Sequence, residues 1–368
     1  MQKIVGFPRS LLPLLRCVRD SGQLLVCHEV RGDDVCIAEG SIRCVECSQE
    51  YQIENGIVRL MTDSLSQETQ HEIVLRDEEY EAMTEIFTPP PSGWRSEFND
   101  RIEILPHLEA LQPLERCRVL ELGCGDGRFT LLMAQLGAEV LAVDFSIAAL
   151  RKLGSRLSSG KAPTYQVPLQ GTPGPLVGRV GLVQADASKL HLAPRSFDRA
   201  LSATPLDSRD ERMNMYRAVA ESLTDDGRYV AGVEYDDLYR RLFGLPVVRR
   251  YSRGGILIEH LDIATMRREA APYFSRLRMQ PIRAHIPFVN RLLAKWLPVA
   301  LAVSVSRMVC ALPVLRHLGE ILLLSAERPR RLPLEGVRRP GFNAAKTFYR
   351  WYKRRQGEEP EWNADCRI

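Results

Sequence analysis

Three glycines at every second position and two carboxylates occur in the stretch "VLELGCGDGRFT". A strand-like run leads into a turn with Gly123, Gly125 and Gly127, and a run of helical period follows. A unit of strand, glycine turn and helix places a ligand over the carboxyl end of the strand. A dinucleotide site would require its third glycine at the position of Arg128. Glu121 precedes the turn, where a carboxylate would repel a pyrophosphate and attract an amino group.

Two more acidic residues end strand-like runs further along the chain. The run "EVLAVDF" brings Asp144, followed by Phe145, to a strand end, where a carboxylate can accept hydrogen bonds from ribose hydroxyls. The run "GLVQADAS" brings Asp186, followed by Ala187, to the next strand end, within reach of an adenine amino group. Acidic strand ends around a glycine turn favour a nucleoside that carries cationic or amino groups and no phosphate.

Together these motifs resemble the class I S-adenosylmethionine-dependent methyltransferases. "ELGCGDG", "VDFS", "ADAS", "SFDRALS" and "LTDDGRYV" occur in the order of that family, over roughly residues 110–330. The resemblance implies an α/β fold with a Rossmann-like, doubly wound and mostly parallel sheet, and S-adenosylmethionine as cofactor. It places Glu121 and the glycine turn, including Cys124, against the methionine part, Asp144 against the ribose and Asp186 against the adenine. A solvated helix cap is the alternative role for Asp186.

Groups that act on the acceptor must come from loops at the carboxyl ends of the strands. Methyl transfer to oxygen or nitrogen needs an aligned nucleophile and sometimes a base. His260 is the first candidate base, and the alternative is a histidine that caps or packs at the start of the next helix. Glu234, Tyr235 and Asp207 are secondary candidates. The segment "SATPLD" lacks the Asn-Pro-Pro-Tyr type of signature for base amines, which weakens a nucleobase acceptor.

The amino-terminal region contains two pairs of potential metal ligands. Cys44 and Cys47 form a C-x-x-C pair, which brings two thiolates onto one tetrahedral ion, and Cys17 and Asp20 have the same spacing. Residues 11–62 resemble the Trm112-type zinc ribbons, and this resemblance implies a structural zinc ion held by the two pairs.

The first pair departs from that family, because aspartate replaces its second cysteine. Aspartate is a less common zinc ligand, and Cys27, His28 or Cys36 could substitute for it. A metal-free β module of the same shape is the alternative. In either form, we expect the module to pack on the catalytic domain or to present the acceptor.

Composition shifts along the chain predict its division into domains. We expect a zinc-ribbon-like β module at 1–62, a helical linker or lid at 63–112, the methyltransferase domain at 113–329 with inserted helices at 286–318, and a basic aromatic tail at 330–368. The proline-rich "TPPPSGW" interrupts the linker as a loop. The Gly/Pro segment 160–181 precedes a strand and is interpreted as a surface insertion at the amino edge of the sheet.

Apolar and basic segments near the carboxyl terminus bear on the acceptor. The run "WLPVALAVSVS" has 11 uncharged residues, fewer than the roughly 20 of a spanning helix, so it predicts a buried or surface-lying helix, with interfacial membrane contact as the alternative. An apolar helical cover would suit an apolar or amphipathic acceptor, and the alternative is a pair of helices that completes the core. Residues 337–355 contain seven basic and five aromatic residues, a pattern typical of RNA contact, of an anionic membrane surface or of a solvated helix.

The 368 residues are 45% hydrophobic and 26% charged, with a net charge of +4, a mild bias that neither requires nor excludes nucleic acid. The chain opens without a secretory signal pattern, and its nine cysteines predict reduced thiols in the cytoplasm, with peripheral membrane contact as an alternative location. We expect methylation of a small or lipid-like acceptor. RNA methylation is the second hypothesis, a non-catalytic cofactor-binding adaptor is the third, and no DNA partner is expected.

Overall fold

Strands and helices alternate through the chain in the computed structural model, which describes residues 6–62, 65, 67–82, 94–159, 178–203, 208–250, 257–284 and 297–331. The strands are β1 (Phe7–Pro8), β2 (Leu24–Gly32), β3 (Cys36–Cys44), β4 (Glu50–Glu54), β5 (Ile57–Arg59), β6 (Arg118–Leu122), β7 (Glu139–Asp144), β8 (Val180–Gln184), β9 (Phe197–Ser202), β10 (Leu223–Glu234), β11 (Val248–Arg250), β12 (Leu257–Glu259), β13 (Phe274–Ala284) and β14 (Gly319–Pro329). The α-helices are α1 (Gln67–Ala82), α2 (Trp94–Leu111), α3 (Thr130–Gln135), α4 (Ile147–Ser159), α5 (Arg209–Ser222), α6 (Leu238–Leu242), α7 (Ile263–Ala270) and α8 (Val299–Ala311). Two short 3-10 helices span Leu12–Leu14 and Leu315–Leu318.

Twelve of the strands form one mixed sheet in the order β1-β3-β4-β5-β8-β7-β6-β9-β10-β14-β13, with β2 paired to β3. The six strands from β5 to β10 in this order are parallel, whereas β14 and β13 close one side with antiparallel ladders. The predicted Rossmann-like α/β class is confirmed. The sheet as a whole is mixed rather than mostly parallel, because antiparallel strands extend its parallel centre on both sides.

Helices cover both faces of the central strands, as a doubly wound sheet requires. Val140 of β7 belongs to the apolar cluster beneath α2, α3 and α4, while its neighbour Leu141 belongs to the cluster beneath α5 and α7. Successive side chains of a strand point to opposite faces, so a strand covered on both faces needs a continuous apolar run. The apolar run of β7 in the sequence therefore predicts its position in the middle of the sheet.

The amino-terminal strands continue the same sheet. β5 lies parallel to β8 with Val58 opposite Val183, and β4, β3, β2 and β1 follow in antiparallel pairs. The region at 1–62 thus has the predicted β structure, but its edge strand pairs with the catalytic domain, and this pairing satisfies backbone groups that would otherwise face solvent. The predicted domain boundaries stay predictions.

The linker and the apolar run near the carboxyl terminus form helices, namely α1, α2 and α8. Among the described helices, none has both the length and the apolar character needed to cross a membrane. Most of the "TPPPSGW" loop, of the Gly/Pro segment and of the basic tail lies outside the described residues.

Candidate cofactor cleft and metal centre

The glycine turn after β6 is held in place by Asp144 at the end of the neighbouring strand. One carboxylate oxygen of Asp144 accepts a hydrogen bond from the Gly125 backbone amide at 2.8 Å, and the other accepts one from the Ser146 amide at 2.8 Å. Gly123, Gly125 and Gly127 all have positive φ, as the sequence predicts for such a turn. Asp144 therefore fixes the backbone of the turn and of the segment that follows β7.

A cleft opens over this turn at the carboxyl ends of the parallel strands. Its lining includes six of the nine residues predicted to bind the cofactor, namely Gly123, Gly125, Asp144, Phe145, Asp186 and Ala187. β9 and α5 add Ser202, Glu211 and Met215. Each oxygen of Asp144 retains a lone pair after its single backbone hydrogen bond. The carboxylate can therefore accept from ribose hydroxyls, and the cleft suits the predicted nucleoside.

The sequence left two roles open for Asp186, a contact with the cofactor and a cap of the following turn, and its surroundings are compatible with both. Its side chain lines the cleft, and one of its oxygens also accepts hydrogen bonds from the Ser188 amide at 2.9 Å and the Ser188 hydroxyl at 2.7 Å. The other oxygen lies 3.7 Å from the ammonium of Lys189. The local turn thus orients the carboxylate at the cleft, and contact with an adenine stays a prediction.

Three of the predicted cofactor residues do not line the cleft. Glu121 is buried and accepts a hydrogen bond from the Thr130 hydroxyl at 2.5 Å. Burial raises the pKa of the Glu121 carboxyl to about 8, although the Thr130 hydrogen bond opposes that shift. Cys124 is also buried, and Gly127 lies against Leu153 of α4. Their positions point to support of the turn, because their neighbours are core side chains.

Helix α1 lies over the cleft, in the segment that the sequence predicts as a linker or lid. Thr69, Glu72, Arg76 and Tyr80 of this helix line the cleft opposite the turn. The Tyr80 hydroxyl would lie 2.7 Å from a Cβ built on Gly125, so any larger residue at this position would require Tyr80 to shift. Burial raises the pKa of Tyr80, which keeps its hydroxyl neutral.

Asp77 of α1 anchors the helix beside the cleft. Its carboxylate accepts hydrogen bonds from the Ser146 hydroxyl at 2.6 Å and from the Ala148 amide at 3.1 Å at the start of α4. An acidic side chain is favourable at a helix amino terminus, because it binds unpaired amides there. The acidic composition of the linker was the only sequence signal for this contact.

None of the predicted catalytic residues in the described part of the chain lines the cleft. His260 is buried beyond β12, and its Nδ1 lies 3.0 Å from the carbonyl oxygen of Val247. Burial lowers the pKa of the His260 imidazole, and Arg240 lowers it further. Asp207 lies outside the described residues. A catalytic role for His260 stays a prediction, and the packing role predicted as its alternative describes its observed contacts.

Glu234 and Tyr235 end β10 at the same edge of the sheet. The Tyr235 hydroxyl is 2.7 Å from Nδ1 of His317, and burial raises the pKa of Glu234. Next to them at the start of β14, burial raises the pKa of Glu320 to about 7 while Arg283 lowers it. Sequence reasoning missed Glu320, because the pairing of β14 with β10 brings it beside Glu234.

The four predicted metal ligands come together on one side of the amino-terminal strands. The ligand atoms of Cys17, Asp20, Cys44 and Cys47 all lie within 4.8 Å of one another. The sulfurs of Cys17 and Cys47 are 3.6 Å apart, and the Cys44 sulfur lies 3.3 Å from an Asp20 oxygen. Ligands at about 2.0–2.3 Å from a tetrahedral zinc ion have separations of this size. The donor set therefore fits zinc.

Backbone amides point at the sulfurs of this centre. The Arg19 amide donates to the Cys17 sulfur and the Glu46 amide donates to the Cys44 sulfur, each at 3.4 Å. Such outer hydrogen bonds stabilise thiolate ligands. A hydrogen bond from the Gly22 amide is the largest cause that lowers the pKa of Asp20 to about 2, with smaller contributions from neighbouring thiols.

The substitutes that the sequence left open do not join this cluster. The Cys27 sulfur contacts the Ser41 hydroxyl at 3.1 Å, and neither His28 nor Cys36 belongs to the cluster of ligand atoms found among the described residues. Asp20 is therefore the fourth group of the centre.

Comparison with known proteins finds a family match over the part of the chain that contains the glycine turn. Residues 119–227 match the model of a methyltransferase domain family. No curated protein matches the sequence closely enough to count as a relative. The prediction of a methyltransferase domain is confirmed, and the match spans the glycine turn and the strand ends that follow it.

Three solved structures illustrate the similarity of fold. An S-adenosylmethionine-dependent methyltransferase from Mesorhizobium loti is 20% identical, with 63% of this chain and 100% of that chain covered and a TM-score of 0.42. A structure described as such an enzyme from Listeria monocytogenes is 17% identical, with 64% and 99% covered and a TM-score of 0.41. Phosphoethanolamine N-methyltransferase 1 of Haemonchus contortus, bound to phosphoethanolamine and S-adenosylhomocysteine, is 14% identical, with 80% and 56% covered and a TM-score of 0.45.

Proposed function

We propose that this S-adenosylmethionine-dependent methyltransferase transfers the methyl group to an oxygen or nitrogen of a small or lipid-like acceptor. The cleft over the glycine turn is the observation that carries the proposal, because Asp144 both fixes Gly125 and keeps acceptor capacity for a ribose. S-adenosylmethionine, when bound, supplies a methyl group on a positively charged sulfur. The chain's own residues bind it, orient it and exclude water from it.

Helix α1 supplies the exclusion of water in this proposal. Tyr80 and Arg76 lie over the turn, and the contact of Asp77 with the start of α4 holds the helix there. Exclusion of water from a methyl-transfer site prevents hydrolysis and strengthens the electrostatic contacts within it. We infer that α1 must open for the cofactor to exchange, because it lies across the cleft.

The acceptor would approach from β9 and α5, the other wall of the cleft. Ser202, Glu211 and Met215 form this wall, and Glu211 offers a carboxylate that could take a proton from an amine or hydroxyl acceptor. His260 and Glu234 remain candidate bases if the acceptor reaches toward the end of β10. A small acceptor is favoured because α1 leaves little room between the helix and the turn.

Titration of S-adenosylhomocysteine into the purified chain tests the cofactor part of this proposal. We expect binding by calorimetry, lost in Asp144→Ala and kept in the control Asp226→Ala, since Asp226 is exposed near the start of β10 and does not line the cleft. Equal binding by wild type and Asp144→Ala would contradict the assignment of the cleft. Binding without methyl transfer to any fraction would favour the adaptor hypothesis.

A labelled methyl donor then separates the acceptor classes. We expect label to appear in a lipid or small-molecule extract. The alternative acceptor, RNA, is supported by the basic tail of the sequence, and methylation of RNA should weaken steeply as salt rises. Label in RNA with that salt dependence would replace the small-acceptor proposal and leave the cofactor assignment unchanged.

We further propose that Cys17, Asp20, Cys44 and Cys47 hold a structural zinc ion. Four protein ligands leave no open position, so the ion would stabilise the amino-terminal strands and take no part in the reaction. Metal analysis of the purified chain should find about one zinc ion per chain, absent from Cys44→Ser and retained in Cys27→Ser, whose thiol lies outside the cluster. Zinc-free, fully folded wild type would support the metal-free module.

A further inference from the structure

A further cavity lies between the helices α2 and α8 and the strands β10, β14 and β13. Its volume is about 770 Å³, which is within the range of sites that bind small molecules. None of the residues that line it also lines the cofactor cleft. A molecule bound in this cavity would therefore occupy a site of its own.

The buried part of the cavity wall is mainly apolar. Five of the lining residues are buried, and four of these are apolar, namely Ile102, Ile282, Cys310 and Leu323. The fifth is Ser306, whose hydroxyl donates to the carbonyl oxygen of Ala284 at 3.5 Å. An apolar body placed against this wall would leave water, and its binding would be favourable for that reason.

The polar part of the wall carries an excess of positive charge. Five arginines and two glutamates line the cavity, and four of the arginines have carboxylate partners: Arg307 with Glu109 at 2.9 Å, Arg283 with Glu103 and Glu320 at 3.4 Å each, and Arg228 and Arg276 with the single carboxylate of Glu327 at 2.9 and 3.2 Å. The fifth, Arg278, forms no ion pair with any residue that the structure describes. One charge on Glu327 cannot neutralise two guanidinium groups, so the excess lies beside Arg276 and Arg278.

Three hydrogen-bond donors meet on this side of the cavity. Arg278 and Gln280 lie two residues apart on the same face of β13, and Ser325 of β14 is directly opposite Arg278 in the antiparallel ladder. All three residues line the cavity, and over the described ranges none of their side chains has a hydrogen-bond partner. A guanidinium, an amide and a hydroxyl placed in this way can donate together to one oxyanion group.

We propose that this cavity binds a small amphipathic anion. Its phosphate or carboxylate head would accept hydrogen bonds from Arg278, Gln280 and Ser325, and its apolar body would lie against the buried wall. A deprotonated oxyanion offers acceptors only, which matches a set of donors without partners. The inference holds whichever acceptor is methylated, because the cavity and the cofactor cleft share no lining residue.

Calorimetric titration of octyl phosphate into the full-length protein, at concentrations below micelle formation, tests this site. Wild type should bind octyl phosphate at least tenfold more tightly than it binds inorganic phosphate or 1-octanol. Only the complete probe meets both the donors and the apolar wall. The affinity should fall as salt rises, because the arginines at the polar end are exposed.

Two substitutions with matched controls locate the binding in the cavity. Arg278→Gln removes the guanidinium that lacks an ion pair and should weaken octyl phosphate binding at least tenfold, whereas Arg268→Gln, on an exposed arginine of α7, should leave it unchanged. Gln280→Glu places a carboxylate beside Arg278 and should also weaken binding at least tenfold. Its control, Gln52→Glu on β4, should bind as wild type does, because Gln52 is exposed and does not line the cavity.

Circular dichroism accompanies the titrations. All four variants should keep the wild-type spectrum, since each substituted side chain is exposed. Absence of octyl phosphate binding by wild type, or equal binding by wild type and Arg278→Gln, would overturn the proposed site. Equal affinity of wild type for inorganic phosphate and octyl phosphate would overturn the assignment of an amphipathic ligand.

Discussion

Replacement of Gly127 by alanine probes the turn on which the candidate cofactor cleft is built. Gly127 has a φ of +95°, and a Cβ built on it would lie 2.3 Å from Cδ1 of Leu153 in α4. Its amide donates to the carbonyl of Cys124 at 3.0 Å, and its carbonyl accepts from the Leu131 amide at 3.1 Å. The residue thus joins the turn to α3 at a point where α4 leaves no space for a side chain.

Two energetic costs determine how much Gly127→Ala destabilises the protein. Positive φ in a residue that carries a Cβ costs about 1–2 kcal/mol. Contact of the new methyl group with Leu153, which is fully buried, adds about 1–3 kcal/mol as overpacking. Gly127→Ala should therefore lower the free energy of unfolding by about 2–5 kcal/mol. A domain of ordinary stability would remain folded, so the affinity for S-adenosylhomocysteine can be measured as well, and we expect it to fall at least tenfold.

Chemical denaturation of a double-mutant cycle separates the two terms. Leu153→Ala alone should cost about 2–5 kcal/mol by leaving a cavity. The double variant should lose less than the sum of the single variants, because the smaller side chain at position 153 makes room for the methyl group. Gly154→Ala is the matched control on the same helix, since its Cβ would meet Leu182 at an ordinary 3.6 Å. That control should be neutral or stabilising by up to about 1 kcal/mol.

Two outcomes would refute this reasoning about Gly127. Additivity within about 0.5 kcal/mol in the cycle would mean that the methyl group does not meet Leu153. A Gly127→Ala protein of wild-type stability and wild-type affinity for S-adenosylhomocysteine would mean that the turn does not have the conformation described here.

Arg212 donates to both oxygens of Glu269 at 3.0 Å, and both side chains are buried. Arg212→Met would leave the buried Glu269 carboxylate without this partner, so it should lower the free energy of unfolding by about 3–5 kcal/mol. Arg276→Met should have an effect near zero in the same denaturation assay, because Arg276 is exposed, and equal effects of the two substitutions would contradict the burial argument. In the folded chain the Glu121 carboxyl has a pKa of about 8, so it keeps its proton near neutral pH. In the unfolded chain the same carboxyl releases its proton near the ordinary pKa of glutamate. The stability contributed by this group is complete below the unfolded pKa and is lost as the pH rises toward about 8, so wild type should lose roughly 3–6 kcal/mol more than Glu121→Gln between about pH 4 and pH 9. Parallel stability–pH curves for the two proteins would show that Glu121 titrates normally.

The strand, glycine turn and helix could be predicted from the sequence because each depends on neighbouring residues. Periodicity marks β6 and α3, and three alternating glycines mark the positive φ between them. The rule that ligands bind at the carboxyl ends of parallel strands then groups Asp144 and Asp186 without further information. The spacing within Cys17–Asp20 and within Cys44–Cys47 marks two pairs of potential ligands, and the resemblance to zinc ribbons implies that the two pairs share one tetrahedral ion.

Contacts between segments distant in the sequence could not be predicted in this way. Nothing local to Tyr80 indicates that α1 lies over Gly125, because that contact depends on the docking of α1 on α4. The same holds for Glu320, whose neighbour Glu234 is brought close by strand pairing.

What the sequence determined by itself is the chemistry of the turn, the strand ends and the ligand pairs, since these depend on residue type and short spacing. The tertiary structure alone decided that the amino-terminal strands join the central sheet through β5 and β8, and which side chains of α1 face the cleft. It also decided that the apolar run 242–248 and one side of α8 are exposed. Burial is a property of the whole fold, so a local apolar pattern cannot distinguish a buried helix from an exposed apolar surface.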